Sequence, residues 1–147
     1  MKLLDANVLL YAYNADSPHH AACRAWLESA LNDAEENVAL PWQSILAFVR
    51  IATNPRAVNK PLTPDTACGI VRQWLEHPNV IAVGYGERFW QLFCDQVSEA
   101  KVSGPLVSDA ALAAVALEQG ATLCSTDKDF RRFGTLKLID PLQVQSH

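Results

Sequence analysis

Short apolar runs that end near a carboxylate, a proline or a glycine alternate along this chain with longer stretches of helical periodicity. Leu3–Asp5, Val38–Leu40, Val80–Val83, Thr122–Ser125 and Leu136–Ile139 read as strands, because they are brief and mostly bounded by turn-forming residues. Between them the apolar residues fall on single helical faces. Ala6–Asn14 reads as a first helix, followed by a stripe of Cys23, Trp26, Leu27, Ala30 and Leu31. Further stripes are Ile45, Phe48, Val49 and Ala52 within Trp42–Ala52, then Ala67, Ile70, Val71, Trp74 and Leu75, then Phe89, Leu92, Phe93 and Val97. Ser17-Pro18 and Thr63-Pro64 are expected to open helices as a cap followed by proline at the first helical position. Ser108 or Asp109 is expected to cap an alanine-rich helix that Gly120 closes, and Asp127–Arg132 reads as a short helical turn. Strands separated by helices pair in parallel, which predicts an α/β fold: an α/β/α sandwich with a short parallel central sheet.

With 147 residues, no internal repeat and no linker, the chain is expected to form one domain over residues 1–147. The longest wholly apolar run, Ala110–Leu117, is far too short to cross a membrane, and Asp5 interrupts the only apolar segment that resembles a leader. Cysteines 23, 68, 94 and 124 are widely spaced, with neither a metal-binding pair nor a compact disulfide pattern, which fits a reducing cytoplasm. The net charge of −4 is unusual for a nucleic-acid binder, so the placement of the acids matters.

Asp5 stands between Leu3-Leu4 and Val8-Leu9-Leu10-Tyr11, in backbone expected to be internal, where a charge needs a partner. In open α/β sheets ligands bind at the carboxyl ends of the strands. Asp5 ends the first strand, Asp127 and Asp129 follow the fourth, and Asp109 opens a helix facing the same edge. Each has an ordinary use alone: Asp109 as a helix cap, Asp127 in an Asx-turn, Asp129 as a cap of the Phe130 turn. Brought together they would repel, by roughly 4 kcal/mol for two charges about 4 Å apart at an effective dielectric near 20. Such a set calls for protons or a cation, and all-oxygen donors favour Mg²⁺, with Mn²⁺ able to substitute. Carboxylate-held Mg²⁺ is used chiefly in phosphoryl chemistry. Setting these four aside from the 16 acids leaves a remainder balanced against the 12 Lys and Arg.

Three segments, Leu3-Leu4-Asp5-Ala6-Asn7-Val8-Leu9-Leu10-Tyr11, Asp109-Ala110-Ala111-Leu112-Ala113-Ala114 and Ser125-Thr126-Asp127-Lys128-Asp129-Phe130, together resemble a PIN domain. The likeness is strongest to the toxin ribonucleases of VapBC toxin–antitoxin pairs and runs from Lys2 to Pro141. Leu40-Pro41-Trp42 and Phe48-Val49-Arg50-Ile51-Ala52-Thr53-Asn54-Pro55-Arg56 resemble the mycobacterial-type subgroup. The resemblance implies a PIN-like sandwich, a Mg²⁺-dependent endoribonuclease acting on tRNA or other RNA, a VapB-type antitoxin and a homodimer. Asp5 and Asp109 would be the principal metal ligands, Asp127 a further ligand, and Asp129 a fourth catalytic carboxylate. Asn7 and Thr126 would support them by hydrogen bonds. One departure stands out: PIN domains commonly carry Glu in the helix after the second strand, where this chain has Ala47. The alternative is a catalytically degenerate PIN fold that binds RNA or protein.

Arg50, Arg56, Lys60, Lys128, Arg131 and Arg132 flank the proposed site in sequence and are candidates for phosphate contacts. A haloacid-dehalogenase phosphatase would need a second Asp two residues after Asp5, where Asn7 stands. A receiver domain would need an Asp closing a middle strand, but Val80–Val83 runs into Gly84.

Overall fold

The first strand, β1 (Lys2–Leu4), lies at the centre of the sheet, which requires apolar side chains on both of its faces. Leu3 and Leu4 supply them, and both are fully buried. The computed structural model describes residues 1–143, so residues 144–147, the end of the expected domain, lie outside the described residues. In chain order the elements are α1 (Ala6–Tyr13), α2 (His20–Asn32), β2 (Val38–Pro41), α3 (Trp42–Ala52), α4 (Pro64–Glu76) and β3 (Val80–Val83). There follow α5 (Phe89–Ala100), a 3₁₀ turn at Gly104–Leu106, α6 (Val107–Gln119), β4 (Thr122–Cys124), a 3₁₀ turn at Lys128–Arg132 and β5 (Leu138–Ile139).

The strands form a five-stranded sheet in the order β3-β2-β1-β4-β5, and every pair is parallel. Lys2 is in register with Val38 on one side and Thr122 on the other, which brings the start of the chain beside the segment after α6. Alternate side chains feed two cores. Leu4, Val38, Leu40 and Cys124 face α1–α4, where Phe48 and Trp74 meet edge-to-face at 4.8 Å. Leu3, Ala39 and Leu123 face α6, with Phe130 and Phe133 closing that side and Phe89 and Phe93 of α5 packed against it. The expected sandwich is therefore the observed one.

Local differences from the sequence reading have physical causes. The Ser17 hydroxyl accepts the His19 N–H at 3.1 Å and its carbonyl accepts the His20 N–H, so Ser17-Pro18 closes a turn and α2 starts only at His20. Thr63 does cap α4 as expected, its hydroxyl accepting the Thr66 N–H. The alanine-rich helix begins earlier than expected, at Val107, because the preceding 3₁₀ turn runs straight into it. Ser108 and Asp109 thus sit inside its first turn rather than at its cap. The last strand is limited to Leu138–Ile139, while Leu136 is buried beneath the turn before it.

Candidate functional site

Asp5 is the first residue beyond β1, and its backbone N–H still donates to the Cys124 carbonyl at 3.0 Å. Its carboxylate caps α1, Oδ1 accepting the Ala6 N–H at 2.7 Å. The other oxygen, Oδ2, accepts the Ser125 hydroxyl at 2.7 Å. That hydroxyl is the hub of the site. It also accepts Asn7 Nδ2 at 3.1 Å and the Asp127 N–H at 3.0 Å, which uses its one donor and both acceptor positions. Asn7 Oδ1 in turn accepts the Thr126 N–H at 3.3 Å. Thr126 therefore takes part through its backbone, while Ser125, given no role in the sequence reading, supplies the side chain. Its signal was the small hydroxyl residue closing a strand directly ahead of the Asp127 turn.

Asp127 caps the following 3₁₀ turn, Oδ1 accepting the Asp129 N–H at 2.9 Å, which is the Asx-turn its position suggested. Asp109 approaches from the first turn of α6. One carboxylate oxygen from each of Asp109, Asp127 and Asp129 lies within 4.8 Å of the others. Asp5 stands beside this trio, joined to Asp127 through Ser125.

The electrostatics follow from this crowding. Burial, then the charges of Asp127, Asp5 and Asp129, push the Asp109 carboxyl up to about 6, with Arg132 acting in the opposite sense. Burial raises Asp5 as well, partly offset by its hydrogen bonds from Ser125 and Ala6, and Asp127 adds to the rise. Arg132 reaches the trio from the far side of the turn, donating Nη2 to Asp129 Oδ1 at 3.2 Å and Nε to the Asp129 carbonyl. A hard divalent cation fits this donor set. The donors are carboxylate oxygens, one of them held partly protonated near pH 6, and a cation would replace that proton.

The candidate phosphate contacts divide. Lys128 and Arg131 are exposed on the same turn as Asp129. Arg50 is in the last turn of α3 and Arg56 in the loop beyond it. Arg50 stands eight positions along the helix from Trp42, about 12 Å from the sheet edge where α3 begins. Ala47, at the position where the resemblance implies a Glu, is partly buried in the middle of α3. An apolar cavity of about 250 Å³ lies away from the carboxylates, between α1 and the end of α3, lined by Leu10, Tyr13, Phe48 and Leu62.

Residues 2–136 match the PIN domain model. The chain belongs to the PIN-domain family, in its VapC branch. Across 147 residues, all of this chain and 99% of the other, it is 39% identical to Ribonuclease VapC43 of Mycobacterium tuberculosis. It is 38% identical to Ribonuclease VapC37 of the same organism, over 96% of this chain and 97% of that one. Solved structures share the PIN fold at lower identity. The structure of VapBC2 from Rickettsia felis bound to a promoter DNA fragment matches with a TM-score of 0.69 at 16% identity, covering 94% of this chain and 96% of that one. FitAcB from Neisseria gonorrhoeae matches with a TM-score of 0.68 at 19% identity, covering 97% and 99%. Among the described residues, no helix of this PIN domain is long and apolar enough to cross a membrane.

Proposed function

We propose that this PIN domain is the toxin of a toxin–antitoxin pair and an endoribonuclease that hydrolyses RNA phosphodiester bonds at the carboxylate cluster. The observation that carries the reading is the convergence of Asp109, Asp127 and Asp129 beside Asp5, in a chain 39% identical end to end to a ribonuclease. Asp5, Asp109 and Asp127 are the proposed ligands of a Mg²⁺ ion, for which Mn²⁺ can substitute. When bound, the ion supplies positive charge against the charge developing on the phosphate and favours ionisation of a nearby water. Asp5 is fixed by two hydrogen bonds, so its carboxylate is already oriented before anything binds. Asp129, exposed at the rim of the cluster and paired with Arg132, is assigned to orient the attacking water. Lys128 and Arg131 are assigned to phosphates on either side of the scissile bond, and tRNA or another exposed RNA strand is the proposed substrate.

The partner proposed is a VapB-type antitoxin, by analogy with the VapBC and FitAcB complexes that share this fold, and the active form proposed is a homodimer in the cytoplasm. One observation favours a second reading, a degenerate module that binds RNA or protein without cutting it: the apolar Ala47 on α3. A single experiment separates them. Purified protein is incubated with a mixed RNA pool, with and without Mg²⁺, beside Asp5→Asn and Asp109→Asn variants. Cleavage by the wild type alone, abolished by EDTA, is expected. Equal cleavage by the variants, or none by the wild type despite RNA binding, would reject the nuclease.

A further inference from the structure

The sheet edge that carries the acids also carries two exposed aromatic rings. Pro41 at the end of β2 is in register with Val83 at the end of β3. Trp42 follows the first and Tyr85 comes two residues after the second, and their side chains are 48% and 59% exposed. A Cβ added at Gly84 would lie 3.7 Å from Trp42 Cδ1, in ordinary van der Waals contact, so the indole stands over Gly84 with room for a methyl group between them. Pro41, Val83 and Val115 complete a small apolar recess of about 70 Å³ between the rings.

Exposed rings are ordinary; here one of the two is hydrogen-bonded, through Gln43, to the segment that carries Asp109. The Tyr85 hydroxyl donates to Gln43 Oε1 at 3.3 Å. The same amide donates from Nε2 to the Ser108 carbonyl at 3.0 Å, and Ser108 immediately precedes Asp109. The loop beneath Tyr85 is fastened by the Glu118 carboxylate, which accepts the Gly86 N–H at 2.7 Å and the Arg88 N–H at 2.8 Å. A Cβ at Gly86 would stand only 2.6 Å from that carboxylate, so glycine is needed there for the clamp to close. Phe89 packs against Tyr85 with ring centroids 4.4 Å apart.

We propose that Trp42 and Tyr85 form a platform on which one unpaired base of the RNA stacks beside the bond to be cut. Gln43 is a positioning residue that fixes the platform relative to Asp109. This rests on the ribonuclease reading above. A flat apolar surface next to a phosphodiester centre suits a nucleobase, because every base has a stacking face while the sugar-phosphate carries the charge. Stacking requires the base to be unpaired, so the platform selects single-stranded segments over duplex.

The test uses an RNA oligonucleotide spanning a bond that the wild type cuts, together with versions abasic at each position in turn. Trp42→Ala is expected to raise KM about tenfold with kcat little changed, and Trp42→Phe to retain most of the affinity. At one position near the cut, removal of the base should raise KM for the wild type but not further for Trp42→Ala. Gln43→Ala should weaken that positional effect without abolishing cleavage. Light scattering should give the same mass for wild type and Trp42→Ala. Unchanged KM in both Trp42→Ala and Tyr85→Ala, with a wild type that cleaves, would overturn this inference alone. A halved mass accompanying lost cleavage would assign the rings to contact between copies and overturn it too. Failure of the wild type to cut any RNA would remove the nuclease reading, and the platform with it.

Discussion

At the scale of single residues, Ser125 decides the geometry of the centre. It fixes one oxygen of Asp5 and the backbone of Asp127 at once, so Ser125→Ala should loosen two proposed ligands together. The expected result is a roughly 10- to 100-fold loss of Mg²⁺ or Mn²⁺ affinity by titration calorimetry, with the fold intact by circular dichroism. Asp109 gives a prediction in pH. Its carboxyl is raised from 3.8 to about 6 in the folded chain. Between those values the folded state holds a proton that the unfolded state has lost, so stability falls as pH rises. In EDTA, Tm should therefore drop from about pH 4 to pH 6.5. Asp109→Asn should flatten much of that slope, and Mg²⁺ or Mn²⁺ should restore stability at neutral pH. An unchanged slope in the variant would show that other groups govern it.

At the scale of elements, the sequence disclosed most of the helices and all of the strands, since each needs one apolar stripe or one short apolar run. What escaped were features set by neighbours in space. Ser17-Pro18 has the composition of a helix start, yet its hydrogen bonds are spent on a turn. Asp109 has the composition of a cap, but the 3₁₀ turn before α6 moves the helix start upstream and leaves its carboxylate free of capping. The bonds through Ser125 span 118 and 120 positions, beyond the reach of any local pattern. The carboxylates were legible because the strand-end rule points to them without knowledge of distances. The end of α5 gives a separate prediction. Lys101 closes that helix at φ 54°, a left-handed conformation that disfavours side chains with a Cβ. Lys101→Gly should stabilise the protein by about 0.5–1 kcal/mol in urea denaturation, because glycine adopts that conformation freely.

On the scale of the whole molecule, the two cores are unequal in kind. The α1–α4 side is built on bulky aromatic contacts, with Phe48 fully buried against Trp74 and Tyr13. On the other side α6 presents small residues, Ala110, Ala113 and Ala116, and the bulk comes from Phe130 and Phe133 beyond β4. Phe48→Ala should accordingly cost roughly 3–5 kcal/mol in chemical denaturation. The order of strands has a consequence for synthesis. Of the five strands the central one is made first, but one of its two neighbours, β4, is made fourth. Until Ser125, Asp127 and Asp129 have emerged, Asp5 lacks the Ser125 hydroxyl and two of its three fellow acids. A nascent or prematurely terminated chain therefore carries no assembled centre. A protein proposed to cut RNA is thus kept harmless towards the message being read until the segment beyond β4 has been made.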